Sequence, residues 1–310
     1  MTTDTTQRTL ITGGAGFIGS HLSRRLGEAG HEVTIVDNLS NGHPEWVPDD
    51  VRFLEKDLTQ SGAVEDVVSP DYDLIVHLAS RKAVDDPERR EQFRENTGMT
   101  YDLVEAALDA EVPEFLFTSS STVYGEAPRP TPEDYAPLEP ISAYGASKLA
   151  CEGVLSTAAH SHGLTVYNVR FANIVGPRLR GAVIPDFVEK LRADPETLTI
   201  LGDGRQEKSY MHVEDCIDAM LYVYEHAEGP IATYNLGTRT TTSVNRIADV
   251  VAEEMGIDPE YEYTGGDRGW TGDVPKMRLS IEKLAALGWE PSIESTAAVR
   301  RTTRELLEEL

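Results

Sequence analysis

Tyr144 and Lys148, in the stretch AYGASK, stand four residues apart in a helical pattern. Residues at that spacing share a helix face and reach one another. An ammonium beside a phenol favours the phenolate and lowers its pKa from about 10 toward neutrality. Such a base takes a proton from an alcohol while hydride leaves the same carbon. Taken alone, the pair fits an exposed helix contact equally well. Two further features raise its weight. The hydroxyl-rich run SSST (119–122) follows the apolar residues Phe115, Leu116 and Phe117, at the end of an expected strand. A glycine motif near the N-terminus offers a place for a hydride carrier.

That motif is TLITGGAGFIGSHL, with Gly14-x-Gly16-x-x-Gly19 and Gly13 beside it. It follows an apolar strand and opens a helix. Glycines let the backbone turn tightly and approach a pyrophosphate, and the helix N-terminus supplies N–H donors and a positive dipole end. Asp37 ends the second expected strand, where an acid grips ribose hydroxyls and repels a 2′-phosphate, which favours NAD over NADP. Asn38 follows as a helper or a turn residue. Asp57 suits either an adenine contact or a helix cap. In HLAS (77–80), small residues at a strand end admit a cofactor, and His77 reads as structural.

The elements that must position these residues alternate. Strands are expected at 9–11, 32–36, 51–54, 72–79, 114–119 and 164–171, with helices at 17–29, 88–110 and 142–161. Such alternation predicts an α/β, doubly wound parallel sheet with helices on both faces. Ligands bind such sheets beyond the carboxyl ends of the strands. After about residue 172 the pattern loosens, with short helices near 182–193, 213–226, 243–256 and 295–309. The expected organisation is a dinucleotide-binding domain over 1–172, to which 208–237 returns, and a smaller, mixed substrate-binding lobe over 173–310.

The chain has 310 residues and a net charge of -25, with seven lysines against 21 arginines. A field of that sign repels nucleic acid and anionic membranes. A very acidic, lysine-poor surface matches proteins of salt-loving organisms. The start, MTTDTTQRTL, lacks a basic region followed by an apolar one, and no apolar run approaches the ~20 residues that span a bilayer. A cytoplasmic protein is therefore expected. Cys151 and Cys216 fit no metal spacing and read as small buried residues.

The chain resembles the extended short-chain dehydrogenase/reductases, in particular the NAD-dependent nucleotide-sugar epimerase/dehydratase group. The resemblance rests on TGGAGFIG (12–19), DNLS (37–40), HLAS with Lys82, SSSTVYG, YGASK, RFANIVGPR (170–178) and GDGRQEKSYMHVEDC (202–216). These motifs run in order over nearly the whole chain. The resemblance implies a Rossmann-type fold and bound NAD, with Gly13, Gly16, Phe17, Ile18, Gly19, Asp37, Asn38, Asp57, Leu58, Leu78, Ala79, Ser80, Lys82, Asn96, Tyr144, Lys148 and Ala172 as its contacts. It makes Ser120 the hydroxyl that bridges the sugar oxygen and Tyr144. It implies a nucleotide-sugar substrate held by Ser120, Tyr144, Asn173, Val183, Lys208, Arg268 and Met277. Lys208 stands where the family usually has arginine, Arg268 lies off the usual register, and Met277 replaces a tyrosine or a smaller residue. A homodimer built through helices 88–110 and 142–161 is also implied, although Leu103, Ala107 and Leu149 suit packing on the sheet equally well.

The family's 4,6-dehydratases place an Asp-Glu pair after the catalytic hydroxyl, and its decarboxylases place a glutamate before Val-Tyr-Gly. Here these places hold Ser121 and Thr122. Neither titrates near neutral pH, so no group serves a second chemical step. Oxidation followed by re-reduction remains. The expected reaction is 4-epimerisation of a UDP-sugar, UDP-glucose and UDP-galactose first. UDP-N-acetylglucosamine or UDP-glucuronate as substrate, and a net sugar oxidoreductase, are the alternatives. His212 and Asp215 read as structural, with Asp215 capping the following helix.

Overall fold

The computed structural model describes residues 6–82, 87–270 and 272–310. Along the first part of the chain run β1 (Arg8–Thr12), α1 (Phe17–Glu28), β2 (Glu32–Asp37), β3 (Arg52–Glu55), β4 (Leu74–His77), α2 (Arg89–Asp109), β5 (Glu114–Ser120), α3 (Ala143–His162) and β6 (Thr165–Phe171). Then come β7 (Asn173–Val175), α4 (Val183–Ala193), β8 (Thr197–Ile200), β9 (Glu207–Lys208), β10 (Tyr210–His212), α5 (Val213–His226) and β11 (Ile231–Leu236). The chain closes with β12 (Thr242–Ser243), α6 (Val244–Met255), β13 (Glu260–Tyr263), β14 (Lys276–Met277), α7 (Glu282–Leu287) and α8 (Ser295–Glu309).

Seven strands form one sheet in the order β11-β6-β5-β4-β1-β2-β3. β1 runs parallel to both β2 and β4, so the strand order reverses beside it. That reversal is the place where doubly wound sheets leave a crevice at the strand ends. The strands are apolar because helices cover them: Leu10, Ile11, Ile75, Phe115 and Phe117 are fully buried, as a parallel sheet shielded on both faces requires. α2 and α3 close one face with Met99, Leu103, Ala107, Cys151 and Leu155, all in one apolar cluster with Leu10 and Phe115. Leu103 and Ala107 thus serve the core of the first unit. Among the described residues, no helix is long and apolar enough to cross a membrane.

The chain divides into two compact units, one of Met1–Ser120, Ala143–Val169 and Leu221–Thr233, the other of Ser121–Ser142, Arg170–Met220 and Tyr234–Leu310. β11 joins the main sheet, whereas β9 and β10 lie in small sheets. Residues 121–142, which the sequence reading gave to the first domain, belong with the second unit. In that unit β9 pairs with β12 and β14, and Ser243 caps α6 by accepting from the Arg246 N–H at 3.2 Å. Asp215 does not cap α5. It lies in the first turn of that helix, and its carboxylate accepts from Ser292 N at 3.0 Å and Ser292 Oγ at 2.6 Å, clipping down the chain before α8.

A buried polar lock holds residues 121–142 inside the second unit. Tyr124 donates to Asn235 Oδ1 at 2.8 Å, and Asn235 Nδ2 donates to Thr131 O at 3.0 Å and Ser280 O at 3.1 Å. Arg170 donates to the Tyr124 hydroxyl at 2.7 Å and sits over its ring. Truncation to alanine would leave the buried Tyr124 hydroxyl without its acceptor and Ser280 O without this donor, while Thr131 O keeps the Ser280 N–H at 2.8 Å. Asn235→Ala is therefore expected to destabilise the protein by about 2–4 kcal/mol, read as a lower urea midpoint with unchanged slope.

Candidate active site

β5 and α3 place the three residues of the chemical set within the first unit. Strand β5 ends at Ser120, and α3 begins at Ala143. The alanine-rich start of α3 favours helix, and Tyr144 and Lys148 fall on one face of it. The Ser120 hydroxyl is hydrogen-bonded to the Tyr144 phenol. Lys148 is 3 % exposed; its Nζ donates to Thr118 O at 2.8 Å and lies 5.7 Å from the Tyr144 ring centre.

The electrostatics differ from the expectation. Tyr144 keeps part of its surface exposed, but its hydroxyl is enclosed by protein, and burial pushes the phenol up to about 12 rather than toward neutrality. The Cys151 side chain adds to the rise, and the Ser120 hydroxyl opposes it. Burial also pulls Lys148 down to about 8. The physical reason is that taking either group out of water favours its neutral form, and the ammonium is turned toward a backbone carbonyl instead of the phenol oxygen. His77 is structural as expected. Its Nδ1 is 2.7 Å from Thr12 Oγ1 and its Nε2 3.0 Å from Thr100 Oγ1, and burial, with Lys148 nearby, drives it down to about 3, so it stays neutral.

The glycine turn fits a dinucleotide. Gly13 has φ +72°, in the left-handed region, and a Cβ there would lie 2.6 Å from Ala79 N. A Cβ on Gly16 would lie 3.3 Å from Gly13 O. Helix α1 starts at Phe17 with no side-chain cap on Gly16 and no acid in its first turn, so the N–H groups of Phe17, Ile18 and Gly19 are left for an anion. Asp37 is 9 % exposed and accepts from Ala15 N at 3.1 Å and Leu39 N at 2.8 Å; burial nonetheless raises its pKa. Asn38 accepts from Ser40 N in a turn. Asp57 accepts from the N–H and the hydroxyl of Thr59, and Leu58 is buried next to it.

Leu78, Ala79 and Ser80 follow β4, and Leu78 N donates to Thr12 O at 3.1 Å. Lys82 is exposed. Asn96 is 3 % exposed, and its amide is engaged within the protein: Oδ1 accepts from Arg81 N at 2.8 Å and Ser80 Oγ at 3.3 Å, while Nδ2 donates to Arg81 O at 3.2 Å and Ser147 Oγ at 3.1 Å. It ties the segment after β4 to the helix that carries Tyr144.

The remaining candidates lie in the second unit. Ala172 N donates to Leu236 O and Asn173 N to Ser209 O. Val183 opens α4. Lys208 and Met277 are register partners in β9 and β14, so they share a face. Lys208 Nζ meets Asp273 Oδ1 at 2.5 Å and lies 5.0 Å from the Trp270 ring centre. Arg268 donates to Asp273 O at 2.5 Å and pairs with Glu126. Asp273, 2 % exposed, thus organises Lys208 and Arg268. The sequence reading passed over Asp273, Trp270 and Glu126. Trp270 and Asp273 stand close to Arg268 in GDRGWTGDVPKMR (266–278), and Glu126 directly follows SSSTVYG.

A dinucleotide turn at the strand-order reversal, with a Ser–Tyr–Lys set on β5 and α3, defines a short-chain dehydrogenase/reductase. The family model for NAD dependent epimerase/dehydratases matches residues 9–237, and the chain belongs to that family. It is 33 % identical over 314 residues to the UDP-glucose 4-epimerase of Mycolicibacterium smegmatis, covering 95 % of this chain and 97 % of that one. The crystal structure of a UDP-galactose 4-epimerase superposes with a TM-score of 0.90 at 39 % identity, covering 98 % and 100 % of the two chains. The UDP-glucose 4-epimerase of Thermotoga maritima, solved with UDP-glucose, has the same TM-score at 32 % identity, covering 98 % and 99 %.

Proposed function

We propose that the protein is an NAD-dependent UDP-sugar 4-epimerase acting on UDP-glucose and UDP-galactose. The observation that carries this is the Ser120–Tyr144–Lys148 set followed by Ser121 and Thr122, which have no acid to offer. Bound NAD would accept hydride from the sugar C4 and return it, and its oxidised ring would bring a positive charge that favours the phenolate. Tyr144 takes the proton of the 4-hydroxyl, and Ser120 orients that hydroxyl. After the keto sugar has turned over, Tyr144 returns the proton on the other face. Lys148 stabilises the phenolate by its charge.

In this reading Gly13, Gly16, Phe17, Ile18, Gly19, Asp37, Asn38, Asp57, Leu58, Leu78, Ala79, Ser80, Lys82, Asn96 and Ala172 hold the cofactor. Asn173, Val183, Lys208, Arg268 and Met277 hold the nucleotide sugar. Lys208 meets a phosphate as a point charge, without the fork of an arginine. A cytoplasmic homodimer adapted to high salt completes the proposal, and sedimentation and stability measured against KCl concentration test that part.

The decisive assay follows a panel of nucleotide sugars by NMR with NAD present. UDP-glucose and UDP-galactose are expected to interconvert with no steady rise at 340 nm. Steady NADH formation instead identifies a net oxidoreductase, and failure with every 4-epimeric UDP-sugar pair rejects the proposal.

A further inference from the structure

Glu152 lies four residues beyond Lys148 and eight beyond Tyr144, so α3 carries a phenol, an ammonium and a carboxylate along one face. It is 8 % exposed, an unusual place for a carboxylate, since burying one costs free energy unless partners compensate. Ser119, 2 % exposed and directly before Ser120, donates to Glu152 Oε1 at 2.5 Å. Each of the three α3 side chains therefore engages the end of β5: Tyr144 at Ser120, Lys148 at Thr118 O and Glu152 at Ser119.

We propose that Glu152 is a positioning residue for the Tyr144–Lys148 pair, its carboxylate tethered by Ser119 so that Lys148 stays charged and seated behind the phenol. The proposal rests on Tyr144 being the base. The groups that face Lys148 come from α3, β4 and β5. α3 contributes Tyr144, Cys151 and Glu152; β4 contributes His77; β5 contributes Phe117, Thr118 and Ser119. α2 brings Thr100 and Asn96 against Cys151, neither of them titratable. His77 is neutral, burial holds the Cys151 thiol protonated, and Glu152 is the one carboxylate in the set. Its field favours the ammonium, while burial opposes it. An alanine or leucine at 152 would remove that charge and leave buried Ser119 without its acceptor.

The test is the pH profile of kcat for Glu152→Gln, which keeps the shape and an acceptor for Ser119 but removes the charge. The alkaline limb is expected to move down by roughly half a pH unit or more, with KM for the UDP-sugar unchanged. Glu152→Asp, which keeps the charge, is expected to bring the limb back toward wild type. If Glu152→Gln does not fold, Ser119→Ala decides: with its tether gone the carboxylate swings away from Lys148, and the limb moves down by less. A limb that stays in place while kcat falls uniformly, or a lower melting temperature alone, assigns Glu152 to structure and overturns the proposal. Wild-type enzyme that epimerises nothing rejects the functional reading itself, a different outcome from an active wild type whose Gln variant keeps its profile.

Discussion

Tyr144→Phe is expected to lower kcat for 4-epimerisation by about 10³-fold, with NAD binding and the melting temperature near wild type. The substitution removes one oxygen. The ring keeps its place over Lys148, 5.7 Å from Nζ, and the start of α3 keeps its packing. What is lost is the hydroxyl bonded to Ser120, the group proposed to take the sugar's proton. Because protein encloses that hydroxyl and pushes it up to about 12, no neighbouring group is tuned to replace it: His77 stays neutral down to about 3, and Lys148 donates to Thr118 O. The loss should fall on kcat and spare KM, since the phenol acts at the reacting oxygen. A second reading comes from the cofactor. Mixing the variant with UDP-sugar should produce no absorbance at 340 nm in a single turnover, whereas wild type should show a transient. A variant that keeps more than about a tenth of wild-type kcat would mean that another group serves as base.

The same pair marks how far sequence carries. The order strand, glycine turn and helix, the acid at Asp37 and the spacing of Tyr144 and Lys148 are local patterns, and each element lies within a residue or two of where periodicity puts it, apart from the fourth strand, which is shorter. The direction of the Tyr144 shift is not local. It depends on how β5 and the surrounding elements enclose the phenol hydroxyl, and a four-residue spacing carries no information about water. Asp215 failed for a similar reason: its partner, Ser292, is 77 residues away. Residues 121–142 follow the strand that ends in Ser120 and read as part of its domain, yet Asn235 fastens them to the second unit. Asn96 reads as a cofactor contact, while its amide holds Arg81 and Ser147. Glu152 was legible as a spacing and was missed because nothing in the sequence says that it is buried.

The second large effect is expected from Gly19→Ala, which should cost the protein its NAD. Gly19 is the third residue of α1, and its backbone conformation suits any residue; the obstacle is space. A Cβ there would lie 2.3 Å from Gly13 O and 2.6 Å from Gly14 Cα. Both are backbone atoms of the turn, so no rotamer change relieves the contact. The turn is closely hemmed in: a Cβ on Gly13 would lie 2.6 Å from Ala79 N, and one on Gly14 2.4 Å from Ile35 Cγ2. The turn must open, and the first-turn N–H groups of α1 move with it. About 1–3 kcal/mol of overpacking strain is expected. Expressed in binding, the same free energy is about a 5- to 150-fold loss of NAD affinity. Titration calorimetry and the cofactor carried through gel filtration would read it, with activity recovering only at high added NAD. Gly98→Ala is the control. Gly98 lies in α2 with open space around its Cβ position, and alanine there should leave NAD binding unchanged and stabilise the helix by up to about 1 kcal/mol. If Gly19→Ala binds NAD as tightly as the Gly98 variant, the turn does not hold the cofactor, and the assignment of Gly13, Gly16 and Gly19 fails with it.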